Sequence, residues 1–145
     1  MGQEPSNITL EVRRTFAATR ERVFRAWTTP EELRRWHAPP PLETPVAEVD
    51  LRVGGAYRVH MRAPDGAEYR VTGVYREVDP PTRLVYTWRW DTDPPSAETL
   101  VTVTFVDRGA QTEVVLRHER FPTTDARTRH EQGWHGCLGK LGQVL

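Results

Sequence analysis

Ile8, Leu10 and Val12 alternate with Thr9, Glu11 and Arg13 in ITLEVRRTF, the period-two signature of a strand with one buried face. The period then changes. In TRERVFRAW, Val23, Phe24, Ala26 and Trp27 fall at helical spacing, and TPEELRRW follows as a second short helix through Leu33 and Trp36. Thr29 is placed to cap it, Pro30 suits the first helical position, and Glu32 completes a capping box. The helix should stop before Pro39, because a residue preceding proline avoids helical backbone.

Beyond Pro39-Pro40-Pro41 the pattern returns to period two and keeps it for eighty residues or so. VAEVDL is a short strand ending at the flexible pair Gly54-Gly55. AYRVHM aligns Tyr57, Val59 and Met61 against Arg58, His60 and Arg62. Pro64-Asp65-Gly66 turns into EYRVTGVYREV, which Asp79-Pro80-Pro81 ends. TRLVYTWRW aligns Leu84, Tyr86, Trp88 and Trp90 against Val85, Thr87 and Arg89 on the outer face. After the loop DTDPPSAE, TLVTVTFV sets Val101, Val103 and Phe105 on one face. Asp107-Arg108-Gly109 is a hairpin turn into TEVVLRH, where Val114, Leu116 and His118 share a face. Pro122 breaks the sheet, and a last helix is predicted from about Thr124 to the end. One strand, two short helices, about six more antiparallel strands and a long helix make an α+β chain with no βαβ alternation and no linker, so residues 1–145 are expected to form one domain.

Charge changes this picture little. Twenty basic and twenty acidic residues cancel, which leaves no field for nucleic acid or an acidic membrane. No apolar run approaches the ~20 residues of a membrane span, and the first residues carry no charged-then-apolar secretory leader. One cysteine cannot form an internal disulfide, so a cytoplasmic protein is expected. Five tryptophans are the compositional oddity.

HEQGWHGC, residues 130–137, brings two histidines, a glutamate and the cysteine close together in sequence, much like the H-E-x-x-H zinc motif. Helical geometry separates them. His130 and His135 lie about 140° apart around the axis, whereas zinc-binding histidines at i and i+4 lie about 40° apart. His130 and Cys137 share a face but stand roughly 10 Å apart along it, too far for one tetrahedral ion. No metal is expected, and Cys137 reads as a small buried apolar residue. The stretch does carry an apolar face: His130, Trp134, Cys137, Leu138, Leu141 and Leu145. Crossing it, Gly133, Gly136, Gly139 and Gly142 recur every third residue, at a helical penalty of about 3–4 kcal/mol relative to alanine. Such a helix needs tertiary contact. The glycines serve either close backbone approach or a helix able to lift from the sheet.

In order along the chain, RRTFAATRERVFRAWTTPEELRRW, VDLRVGGAYRVHM, DGAEYRVTGVYREVDPPTRLVYTW, TLVTVTF, TEVVLRHERFP and the H-x-x-GW of the last helix resemble the activator of heat-shock-protein ATPase homologues, within the START and birch-pollen-allergen superfamily. The resemblance implies a helix-grip fold: a curved antiparallel sheet of about seven strands wrapped around the C-terminal helix, with two short helices closing one end. It also implies an apolar chamber between helix and sheet that holds a small hydrophobic molecule. Where relatives often read W-W-G-P, this chain has Trp36-His37-Ala38-Pro39. His37 either alters ligand choice or is solvated, and solvation is the simpler expectation. The family's name comes from a co-chaperone carrying this domain after a separate N-terminal one. With a first strand already at residue 8, no chaperone partner is expected here.

Strand parity turns Tyr57, Met61, Tyr86, Trp88, Trp90 and Phe105 toward the helix; Trp36, Phe121 and Trp134 are placed to close the chamber's ends, and Tyr86, His118 and His130 are its polar anchors. The expected role is non-catalytic binding of a small apolar or aromatic molecule, with no cofactor and with a homodimer left open. A cyclase-type enzyme acting on an aromatic polyketide-like ligand is the alternative, with His118 or His130 as acid or base beside Tyr86. A co-chaperone-like regulator is a third.

Overall fold

The computed structural model describes residues 8–145, so the reading of the first seven residues lies outside it. Strand β1 (Thr9–Phe16) is followed by helices α1 (Arg20–Thr28) and α2 (Pro30–Trp36). Strands β2 (Glu43–Val49), β3 (Ala56–Arg62), β4 (Glu68–Asp79), β5 (Arg83–Trp90), β6 (Thr99–Arg108) and β7 (Gln111–Glu119) come next, and α3 (Thr124–Val144) completes the order. The strands form one antiparallel seven-stranded sheet in the order β1-β7-β6-β5-β4-β3-β2. The sheet curves around α3, and the whole is a helix-grip fold.

Register carries the inward face across strands. Leu10 pairs with His118, His118 with Val101, Val101 with Tyr86 and Tyr86 with Tyr75. The neighbouring row runs Val12, Leu116, Val103, Leu84 and Val78. A one-residue slip anywhere would turn such a row to solvent, so the alternation read from sequence and the pairing enforce each other.

Three local expectations are corrected. Thr29 and Glu32 form no capping box: Thr29 makes no side-chain cap bond, and Glu32 is taken by Arg22 of α1 at 2.9 Å. Thr29 also ends α1, its N–H bonded to Arg25 O, so one residue joins two helices. The cap that does form is Thr19, whose hydroxyl accepts from Arg22 N at 3.3 Å. Strand β2 starts earlier than VAEVDL and stops at Val49, with an irregularity between Glu43 and Val46. Finally, Thr87, assigned to the outer face, is buried. Its Oγ1 accepts from Val74 N at 2.8 Å where the β4–β5 ladder is interrupted.

That interruption explains one glycine. A Cβ on Gly73 would collide with Thr87 O and with the Tyr57 ring. Thr87 O is also the acceptor for Tyr57 Oη, at 2.6 Å, so neither neighbour is free to withdraw. Gly73→Ala should lose about 2–3 kcal/mol of stability, readable as a lower urea midpoint at unchanged slope.

Candidate functional site

The concave interior divides into a filled half and an open half. On the filled side Phe24 meets Phe105 edge-on at 5.3 Å, Trp27 meets Trp36 at 4.6 Å, and Trp27 meets Phe105 at 5.8 Å. Trp36 Nε1 donates to Ala26 O and Trp27 Nε1 to Tyr86 Oη. These rings close-pack as interiors do. Trp36, Tyr57, Tyr86 and Phe105, all named from sequence as lining residues, belong to this packing and stand off the main cavity.

The open half is a cavity of about 480 Å³ between α3, the ends of β3–β5 and the loop after α2. Its inner wall includes Met61, Trp88, Trp90, Gly133, Trp134 and Cys137, with His37 and Pro39 from the loop. Glu68, Tyr69, Arg70, Asp91 and Arg129 form an exposed rim. Of the predicted lining, Met61, Trp88, Trp90, His130 and Trp134 come together here. His118 and Phe121 sit just behind, with rings 4.4 Å apart and no exposure.

The α3 glycines differ in what surrounds them. A side chain begun at Gly136 would stand 3.1 Å from Pro39 Cβ, so glycine there serves close approach, whereas one at Gly142 would stand at an ordinary contact distance of 3.6 Å from the Phe16 ring. Gly133 has nothing within 4 Å and faces the cavity. The missing side chain there is part of the open volume.

Two tryptophan–histidine pairs support the wall. Trp134 Nε1 donates to His118 Nδ1 at 3.1 Å, and since an indole N–H can only donate, Nδ1 accepts and Nε2 carries the proton. Nε2 then donates to Thr99 Oγ1 at 2.7 Å, and Thr99 donates to Trp88 O at 3.1 Å. His130 mirrors this arrangement. Its Nδ1 donates to Ala126 O at 2.7 Å, and its Nε2 accepts from Trp90 Nε1 at 3.2 Å. Both rings are therefore held neutral with their acceptor nitrogens in use. Burial lowers the affinity of His118 for a proton well below the ordinary value, and the nearby His130 adds to this. Burial lowers that of His130 too, with Arg129 acting in the same direction.

His37 overturns the expectation of solvation: it is 4% exposed, stacked on Trp88 at 5.7 Å and edge-on to Trp134 at 5.6 Å. Burial lowers its pKa to about 4. Among the described residues, two buried side-chain polar atoms have no protein partner, His37 Nδ1 and Trp88 Nε1, and both residues belong to the cavity wall. Leaving such an atom unpaired costs about 1–3 kcal/mol.

Nucleophilic chemistry finds little purchase. Burial pushes the Cys137 thiol up to about 12 and raises Tyr86 as well. His135 is exposed on α3, away from the buried His130 face. No group of three or more histidine, cysteine or acidic residues able to hold a metal occurs among the described residues. No helix among them is long and apolar enough to cross a membrane.

A helix-grip sheet with an apolar, tryptophan-walled cavity against its last helix defines the class. Residues 17–145 match the model of the Activator of Hsp90 ATPase homolog 1-like protein family, and the chain belongs to that family. The Activator of 90 kDa heat shock protein ATPase homolog 1 of Homo sapiens is 29% identical over 126 residues, 86% of this chain but 33% of its own length. The chain thus spans about a third of that relative. A solved Chromobacterium violaceum protein superposes with a TM-score of 0.85 at 30% identity, covering 94% of this chain and 96% of its own. The AHSA1 protein of Silicibacter pomeroyi gives 0.84 at 29%, covering 94% and 96%.

The buried imidazoles predict a pH dependence with a definite sign. An unfolded histidine takes a proton near pH 6.5, which folded His37 refuses until about pH 4. Between those values the unfolded state holds more protons, so stability falls as pH drops through the window and levels off above about 7. Each such ring contributes up to about 1.4 kcal/mol per pH unit. Thermal unfolding from pH 7.5 to 5 should show the decline, and His37→Gln should make it shallower. Gly133→Ala, free of contacts, should gain about 1 kcal/mol of stability, whereas Gly136→Ala should gain less because Pro39 must yield. Melting temperatures of the two variants check this.

Proposed function

We propose that the protein binds a small apolar or aromatic molecule in the cavity beneath α3 and does not transform it. The observation that carries this is the 480 Å³ cavity walled by Trp88, Trp90, Trp134 and Met61. Its volume and lining fall within the range of ligand pockets, roughly 300–1,000 Å³ with mostly apolar walls and few polar groups. The absence of turnover is supported by His118 and His130, whose acceptor nitrogens are already bonded to indoles, so neither offers a free base. A lone buried cysteine suits a cytoplasmic site of action. The chaperone-activating role named for the human relative belongs to a protein of which this chain covers 33%, and no feature of the cavity favours it.

Titration with a panel of fatty acids, flavonoids and polyketide-like aromatics should quench tryptophan fluorescence with micromolar affinity for at least one class. Gly133→Met should abolish binding by filling the cavity, with the fold intact by circular dichroism. Silence across the panel, in both fluorescence and melting temperature, would reject the role.

A further inference from the structure

The cavity beneath α3 opens to solvent at a rim of exposed side chains, and its chemistry changes from wall to mouth. Inside, the wall is apolar and neutral, and His130 already has its acceptor nitrogen on Trp90. The aromatic surface continues outward: Trp88 meets Trp90 edge-on at 5.5 Å, and Trp90 meets Tyr69 at 6.5 Å. Tyr69, 46% exposed, is one of three large apolar side chains left exposed among the described residues, and it stands at this mouth.

Glu68, Arg70, Asp91 and Arg129 border the same opening. Three of them form a group of their own, since Arg70 pairs with Glu68 at 2.7 Å and reaches Asp91 at 4.0 Å. That group keeps one negative charge in excess, spread over β4 and the turn after β5. Arg129 stands apart from it on α3 and carries no ion pair among the described residues. Its charge is close enough to act on the His130 ring, where Asp93 opposes it. On the helix side of the mouth, the uncommitted charge is therefore positive.

Resting on the binding role given above, we infer that the occupant is an amphipathic aromatic acid, its ring against Trp88, Trp90 and Trp134 and its carboxylate on Arg129 at the mouth. Indole faces and edges accept another ring. Deep in the cavity a carboxylate would lose its hydration with no counter-ion. At the rim it keeps water on one side and gains a guanidinium, whose planar fork of N–H donors matches two carboxylate oxygens. A wholly apolar occupant would cover the wall and gain nothing at Arg129. A cationic head would be repelled there, and would find Glu68 and Asp91 already shared by Arg70.

Isothermal titration with 2-naphthylacetate, 2-naphthylacetamide and 2-(2-naphthyl)ethylamine tests this, because the three carry one ring and differ in charge. On the wild-type protein the acetate should bind about fivefold tighter than the amide, with the amine weakest. Raising the salt tenfold should shrink that margin, as screening shortens the reach of an exposed charge. Arg129→Gln should bring the acetate level with the amide and leave the amide unchanged, and Arg129→Glu should move the amine ahead. Arg129 is exposed, so these changes leave the core untouched. Arg127→Gln, on the same helix but off the cavity, should keep the margin intact. Equal binding of acetate and amide, tightest binding of the amine, or a margin that survives Arg129→Gln would each overturn the inference while leaving a binding pocket in place. So would a margin lost equally in Arg127→Gln, which would mark a diffuse field rather than a contact. No binding of any of the three would remove the pocket's role with it.

Discussion

The hydrogen bond from Trp134 Nε1 to His118 Nδ1 joins the C-terminal helix to strand β7 of the sheet, and much of the interior is arranged around it. His118 sits on β7, in the row that crosses β6 and β5 to Tyr86, so its ring position is fixed by strand register. Trp134 is the residue by which α3 reaches that row. A helix carrying four interior glycines has little intrinsic stability, and packing has to supply the rest. The bond also sets chemistry. It makes Nδ1 an acceptor, sends the proton to Nε2, and through Thr99 ties the ring to the backbone of Trp88. Protonating His118 would set a new N–H against the indole N–H, so the geometry itself opposes charge here, in agreement with the effect of burial.

Seen this way, the open half of the interior is a consequence of how α3 is fastened. Contacts cluster where Gly136 lets the helix close to Pro39, and at Trp134. At Gly133 no side chain bridges to the sheet, and the volume between Trp88, Trp90 and Met61 stays unfilled. Toward α1 and α2 the same space is occupied by Phe24, Trp27, Trp36 and Phe105. The chamber that the family resemblance implies is thus shorter than the whole grip. Shape, more than polarity, determines where it ends.

The elements that obey one period over several residues were legible in the sequence. TLVTVTFV and TEVVLRH keep strict alternation, and their inward residues are buried as read. What failed did so where a residue's neighbours in space differ from its neighbours in sequence. His37 lies beside polar and proline-rich sequence, but the turn after α2 folds it under Trp88 and Trp134. In β4 Val71 and Tyr75 face inward in phase, and a bulge between Tyr75 and Glu77 then shifts the strand so that Val78 rather than Glu77 continues the row. Thr87 enters at a separate gap in the ladder, between the Thr72–Arg89 and Tyr75–Tyr86 pairs. Gly73 was the available signal, since glycine inside a strand marks a bulge or a close backbone approach. Trp36, Tyr57, Tyr86 and Phe105 were read as facing inward and do so; periodicity gives a residue's face but not which part of that face remains open.

Charge is kept at the surface of this molecule and out of its interior. Apart from the half-buried Arg22–Glu32 pair between α1 and α2, ion pairs such as Arg58–Glu48 and Arg70–Glu68 lie on exposed strand faces and at the cavity rim, where they contribute at most about 1 kcal/mol each. Inside, three imidazoles are neutral, the tyrosine and cysteine hold their protons, and most polar atoms are paired within the protein. Fixed charge on the cavity therefore stands at its rim, on Glu68, Arg70, Asp91 and Arg129, and its inner wall is closed by neutral rings whose positions are set by shape and by hydrogen bonds within the protein.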